Sequence, residues 1–184
     1  MFMISKIYPG MLDARIEYFQ TEGNVFRIRN GTIQNFDEIE EHKELQFIIE
    51  NEKGLQEILT EMCGKNERKQ QKQLASCRFG ALNFEADFNT EGEASHDYVD
   101  CEFSGKCIGE NIVCKPLELK GKRITQQQLD LLRACSGNEK NETLAINFKM
   151  PLGSFNVLKN NTYKKLGIHT KQESAILLMQ NGLL

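Results

Sequence analysis

The strongest constraint on the fold lies in residues 124–184, where helix-start and helix-stop signals recur at short intervals. Thr125-Gln126-Gln127-Gln128 has the form of a capping box. The threonine hydroxyl can accept from the third helical amide while the glutamine reaches back to the cap. It predicts a helix with Leu129, Leu132 and Cys135 inward, ending at Gly137. NETLAINF, 141–148, predicts a second short helix with Leu144, Ala145 and Phe148 on one side. PLGSFNVLKNNTYKKLGI, 151–168, has an apolar face of Phe155, Leu158, Tyr163 and Leu166 and a stop at Gly167. Thr170-Lys171-Gln172-Glu173 is a second capping box, opening a helix with Ala175, Leu178 and Met179 inward. Four short helices with tight connections must bury their apolar stripes against one another, which suits a helix-turn-helix DNA-binding module.

Charge separates the same region from the rest. Residues 121–184 carry 9 Lys+Arg against 4 Asp+Glu, whereas residues 1–120 carry 14 against 22. The net charge of -3 therefore conceals an acidic body and a basic end, the distribution expected if only the end meets a polyanion.

Within the basic end, Ile124-Thr125, Leu131-Leu132, Gly137 and Asn141-Glu142-Thr143-Leu144-Ala145 follow one another at spacings that lead into an ungapped Tyr163-Lys164-Lys165-Leu166-Gly167-Ile168. Glu173-Ser174-Ala175 and Gly182-Leu183 close the series. This segment resembles the C-terminal domain of LuxR/GerE-type transcription regulators, over the last third of the chain. The resemblance implies that 151–166 lies in the major groove, that 139–148 supports it, and that the last helix makes dimer contacts. It also implies base-facing roles for Asn156, Val157 and Asn160, and phosphate contacts for Ser154, Lys159, Lys164 and Asn141. Asparagine can read adenine N6 and N7, an apolar side chain can meet a thymine methyl, and lysine and serine can hold phosphates. The chain departs from the family at several positions: Pro151 where a capping Ser or Thr is usual, Asn156 where a basic residue is usual, Leu158 where His or a similar polar residue is usual, Asn161 where Arg is frequent, and Gln128 in place of Glu. Fewer cations release fewer counterions, so affinity and salt slope should be lower than in a strongly basic relative.

The first 120 residues read as a mixed α+β domain. PGMLDARIEYFQ, 9–20, predicts a helix with Met11, Leu12, Ile16 and Phe19 on one face. VFRIRNGTIQNF, 25–36, predicts a hairpin turning at Asn30-Gly31. A helix is expected from an Asp37 N-cap, with Ile39, Leu45, Ile48 and Ile49 inward, then another after Gly54 with Leu55, Ile58, Leu59 and Met62 inward. GKNERKQQKQ, 64–73, is either an exposed helix or a loop. ALNFEADF, 81–88, alternates as a half-buried strand would; 89–97 is loop by composition, and 117–123 looks like a linker.

Cys101, Cys107 and Cys114 are spaced x5 and x6, Cys77 precedes the expected strand, and the stretch 98–116 between has no clear period. Four thiolates can close a tetrahedral shell around zinc and replace the core that an irregular stretch cannot build alone. The expectation is a zinc site formed by Cys77, Cys101, Cys107 and Cys114. Ordinary buried cysteines and an iron–sulfur cluster are the alternatives. Cys63 and Cys135 fall in apolar helical settings and read as core.

The composition, 40% hydrophobic and 27% charged, is that of a globular chain, and 184 residues leave room for one ordinary domain or two small ones. No apolar run reaches the roughly 18 residues a membrane helix needs, and MFMISKIYPGMLDAR lacks the apolar core of a signal peptide. A cytoplasmic protein without disulfides is expected. No phosphate loop or nucleophile elbow occurs, the three histidines are scattered, and the receiver-domain alternation of βα units is missing from 1–115. The expectation is therefore a non-enzymatic, dimeric, DNA-binding transcription regulator. It has an α+β domain over 1–120 that serves regulation or assembly, and an all-α LuxR-type module over 121–184. The sequence names no small-molecule effector. Two other classes stand beside it: a protein-interaction adaptor that does not bind DNA, and a metal or redox sensor built on the cysteines.

Overall fold

The computed structural model describes residues 7–184. The chain divides into two compact units, Met1–Lys115 and Pro116–Leu184. The architecture is mixed α+β, and among the described residues no helix is long and apolar enough to cross a membrane.

The first unit opens with an antiparallel meander, β1 (Glu17–Thr21), β2 (Asn24–Arg29) and β3 (Thr32–Asn35). Asn30 and Gly31 both have positive φ, as the primed turn expected between β2 and β3 requires. The β1–β2 turn is built the same way from Glu22-Gly23, a weaker signal that the helical reading of 9–20 obscured. That helix does not form. Asp13 Oδ1 instead accepts from the amides of Gly10 and Arg15, and β1 pairs with β2 from Glu17↔Ile28 to Thr21↔Asn24. Leu12 is exposed, while Ile16, Glu17 and Tyr18 are all buried, so both faces of the chain are covered where β1 begins.

A 3-10 turn (Phe36–Glu38) follows, then α1 (Lys43–Asn51), α2 (Leu55–Cys63) and α3 (Glu67–Arg78). The expected helix start at Asp37 moves to Lys43. Asn35 caps the 3-10 turn by accepting from the Asp37 amide, and Phe36 is buried with its ring stacked 3.7 Å from that of His42. The polar stretch 64–73 is mostly helix: Asn66 caps α3 through the Lys69 amide, and α3 buries Leu74 and Ala75 against β1 and α1. Tyr18, Phe36, Leu45, Leu55, Leu59, Leu74, Phe79 and Phe88 form the centre of the core.

Residues 81–88 do not form the expected strand; only Phe88 bridges, to Ile16 and Ala94. Side chains take the backbone donors that a strand would have used. Asp97 Oδ2 accepts from the Ala81 amide (3.1 Å), Glu17 Oε1 from the Asn83 amide (2.9 Å), and Asn83 Oδ1 from the Glu85 amide (2.6 Å). Asparagine and aspartate compete with sheet ladders in this way.

The second unit begins where a linker was expected. Residues 118–123 form a small hairpin, β4 (Glu118–Leu119) and β5 (Lys122–Arg123), turning at Lys120-Gly121 with positive φ at both. Four helices follow: α4 (Gln126–Cys135), α5 (Asn141–Asn147), α6 (Leu152–Leu166) and α7 (Lys171–Gln180). The Thr125 capping box is complete. At α7 only half of the box forms: Thr170 accepts from the Glu173 amide, while the Glu173 carboxylate accepts from His169 instead. Helix α4 packs on α7, α6 and α5. Leu129, Leu132, Cys135, Leu144, Phe155, Tyr163, Leu166 and Leu178 are buried, but Met179 is 60% exposed, contrary to its expected inward position.

Candidate nucleic-acid interface

Helices α5 and α6 are joined by a turn through Phe148, Lys149, Met150 and Pro151. The Met150 amide donates to the Ala145 carbonyl (3.1 Å), and Phe148 meets Phe155 edge-on at 5.7 Å, so the turn and the start of α6 are held from inside. Lys149 takes φ +52°, a left-handed conformation carried by a residue with a side chain.

The inner side of α6 buries Phe155, Thr162, Tyr163 and Leu166. Its outer side shows solvent Ser154, Val157 (59% exposed), Asn160 and Lys164, residues three or four apart and hence on one face. Asn156 and Lys159 are only half-exposed and turn toward α5. Asn141, at the first position of α5, donates to Asn156 Oδ1 (3.1 Å) and accepts from Lys159 Nζ (3.4 Å). The Lys159 ammonium also stands 5.3 Å from the centre of the Tyr163 ring. The seven residues expected to touch DNA thus fall into two sets. Ser154, Val157, Asn160 and Lys164 are presented outward, while Asn156 and Lys159 are each bonded to Asn141.

In the first unit, Asp97 N donates to Arg78 O (2.8 Å), and the Arg78 guanidinium donates to Val113 O (2.7 Å) and Ile112 O (2.5 Å). The loop carrying Cys101, Cys107 and Cys114 therefore leaves and returns beside Cys77. Burial pushes the Cys77 thiol up, a hydrogen bond from Gln73 (3.0 Å) opposes this, and the sulfurs of Cys114, Cys101 and Cys107 are near enough to raise it further. Among the described residues no three His, Cys, Asp or Glu side chains stand as a ready ligand group for a metal ion. The expected set is brought to one neighbourhood without being closed.

Two further buried groups escaped the sequence reading. His42, one of the scattered histidines, is buried. Its Nε2 donates to the Phe36 carbonyl (3.1 Å), its Nδ1 lies 2.7 Å from the Tyr18 hydroxyl, and burial pushes its pKa down to about 4. Glu17, Asp87 and Asp97 are buried together. Burial pushes Glu17 up to about 9 and Asp97 to about 7, and Asp87 well above its ordinary value. Among the described residues Glu17 Oε2 and Asp87 Oδ1 have no hydrogen-bond partner, whereas Asp87 Oδ2 accepts from the Tyr18 amide (2.5 Å). These carboxyls lie far apart along the chain, so no spacing could have signalled them.

No family model, no curated protein and no solved structure matches the chain.

Proposed function

We propose that the chain is a sequence-specific, LuxR-type DNA-binding transcription regulator acting in the cytoplasm, with α6 entering the major groove. The observation that carries the reading is the division of α6. Phe155, Tyr163 and Leu166 are buried, while Ser154, Val157, Asn160 and Lys164 form a solvent-facing stripe of mixed chemistry. At 1.5 Å per residue, fifteen residues span about 22 Å, enough to follow the groove over several base pairs. Asn160 offers a donor and an acceptor for an adenine edge, Val157 an apolar surface for a thymine methyl, and Ser154 and Lys164 contacts to phosphate. In this reading Asn141 orients Asn156 and Lys159 and exchanges those bonds for DNA on docking. Ile176 (54% exposed) and Met179 (60% exposed), one turn apart on α7, supply an apolar contact for a second copy, so that a dimer reads two half-sites. The first unit serves assembly or regulation, and no catalytic step belongs to this reading.

The test is selection of bound sequences from a randomised duplex pool by the full chain, followed by salt titration of the winners. An enriched, roughly palindromic site with a steep salt dependence is expected. Folded protein that enriches no sequence overturns the reading in favour of an adaptor.

A further inference from the structure

We infer that Cys77, Cys101, Cys107 and Cys114 bind one zinc ion that pins the 97–115 loop to the end of α3. This inference stands apart from DNA binding and survives if that reading fails.

The loop's path is the first ground. It starts and ends at Arg78, through Asp97 N to Arg78 O at 2.8 Å and Arg78 Nε to Val113 O at 2.7 Å. Cys77 precedes Arg78, Cys114 follows Val113, and Cys101 and Cys107 lie on the excursion between.

The second ground is how little apolar burial the outer turns of the excursion have, held as they are by local hydrogen bonds such as Gly105 N to Glu110 Oε2 (2.8 Å). The excursion is a string of turns, closed by Ser104 N to Cys101 O (3.1 Å), Lys106 N to Phe103 O (3.0 Å) and Glu110 N to Cys107 O (3.1 Å). Residues 101–106 are all exposed, Phe103 by 61%, and Ile108 beyond them by 51%. Apolar burial does not order these turns, so an ion that cross-links them supplies what the core does not.

The third ground is the sulfur environment. The Gly109 amide donates to Cys107 Sγ (3.4 Å) two residues earlier, a donor already aimed at a sulfur that would carry charge. Gly109 is also held close to α2: a Cβ there would stand 2.7 Å from Met62 Sδ, so the turn bearing Cys107 is seated against the body of the unit. Cys101 is exposed, on the turn closed by Ser104 N to its own carbonyl, and would be the fourth ligand. Four thiolates without an open position make a structural site, and binding releases the thiol protons to solvent. Cys63 is outside the set, its thiol donating to the Leu59 carbonyl (2.9 Å) within α2.

The experiment uses the full chain, purified without a metal-binding tag. Elemental analysis should find one zinc per chain, retained on dialysis and released by a mercurial reagent. Cys63→Ser should keep the zinc, and Cys77→Ser, Cys101→Ser, Cys107→Ser and Cys114→Ser should each lose it. Where a variant does not fold, Co2+ titrated into the chelator-treated, reduced, unmutated chain decides. One equivalent should produce intense thiolate-to-cobalt absorption, and Zn2+ should abolish it. Chain that carries no metal and gives no thiolate–cobalt band overturns the inference, as does iron in place of zinc or loss of zinc in Cys63→Ser.

Discussion

Arg78 Nε donates to the Val113 carbonyl at 2.7 Å, across 35 positions of sequence. The same guanidinium, only 4% exposed, meets Glu52 Oε2 at 2.5 Å, and Lys115 approaches the other oxygen of that carboxylate. One buried cation thus ties the end of α1, the end of α3 and the returning loop. Arg78→Met leaves the Ile112 and Val113 carbonyls without their donor and the Glu52 carboxylate with Lys115 alone. It should cost about 3 kcal/mol. Urea unfolding of the full chain should show the loss, and limited proteolysis should cut first within 98–112.

Alkaline pH should weaken the first unit. Glu17, Asp87 and Asp97 are buried with raised pKa values, Glu17 at about 9 and Asp97 at about 7. In the unfolded chain they ionise near their ordinary values, about 4. Their contribution is thus complete below about pH 4 and is lost as pH rises through the folded values. The urea midpoint should fall between pH 6 and pH 9. Glu17→Gln keeps the oxygen that accepts from Asn83 and should flatten that fall. A midpoint unchanged over this range would refute the assignment. His42 acts in the opposite sense: with a folded value of about 4, it favours folding at neutral pH and loses that contribution as pH falls below about 6.5.

If α6 reads the major groove, its outward residues should separate into two behaviours. Lys164→Ala should weaken binding to all duplexes alike and lower the slope of log K against log salt by about 1. Asn160→Ala should instead reduce discrimination between the selected site and single-base variants, by about 1–3 kcal/mol at one position. Competition binding at two salt concentrations distinguishes the two. Identical profiles for both variants would argue against groove reading.

The turn before α6 and its first residues carry two backbone mismatches. Lys149 is exposed and left-handed, a conformation costing a side-chain-bearing residue roughly 1–2 kcal/mol. Gly153 sits in α6, where a Cβ would meet nothing within 4 Å. Lys149→Gly should stabilise the second unit by about 1 kcal/mol and Gly153→Ala by about 0.5 kcal/mol, additively. Thermal melting of the single and double variants checks both.

The features legible in the sequence depend on neighbours a few residues away. The Thr125 capping box, the Asn30-Gly31 turn, the glycine stop of α6 and the apolar faces of α1, α2 and α4 each follow from steric and hydrogen-bonding rules that act within one turn of chain. They are read without knowing what lies across the core. The helical reading of 9–20 and the strand reading of 81–88 failed because both segments answer to distant partners. Glu17 takes the Asn83 amide 66 positions away, and Asp87 takes the Tyr18 amide 69 positions away.

The family resemblance implied which α6 residues face outward, but the bonding of Asn141 to Asn156 and Lys159 has no such signal, since it depends on how α5 packs beside α6. The cysteines show the same boundary. Their number and irregular surroundings pointed to a ligand set, and it took Arg78 gripping Val113 to bring the loop back beside Cys77. Sequence alone determined the elements whose stability is local. Tertiary structure alone decided which buried polar groups share a site, because burial in a common core is a property of the whole packed chain and has no short-range signature.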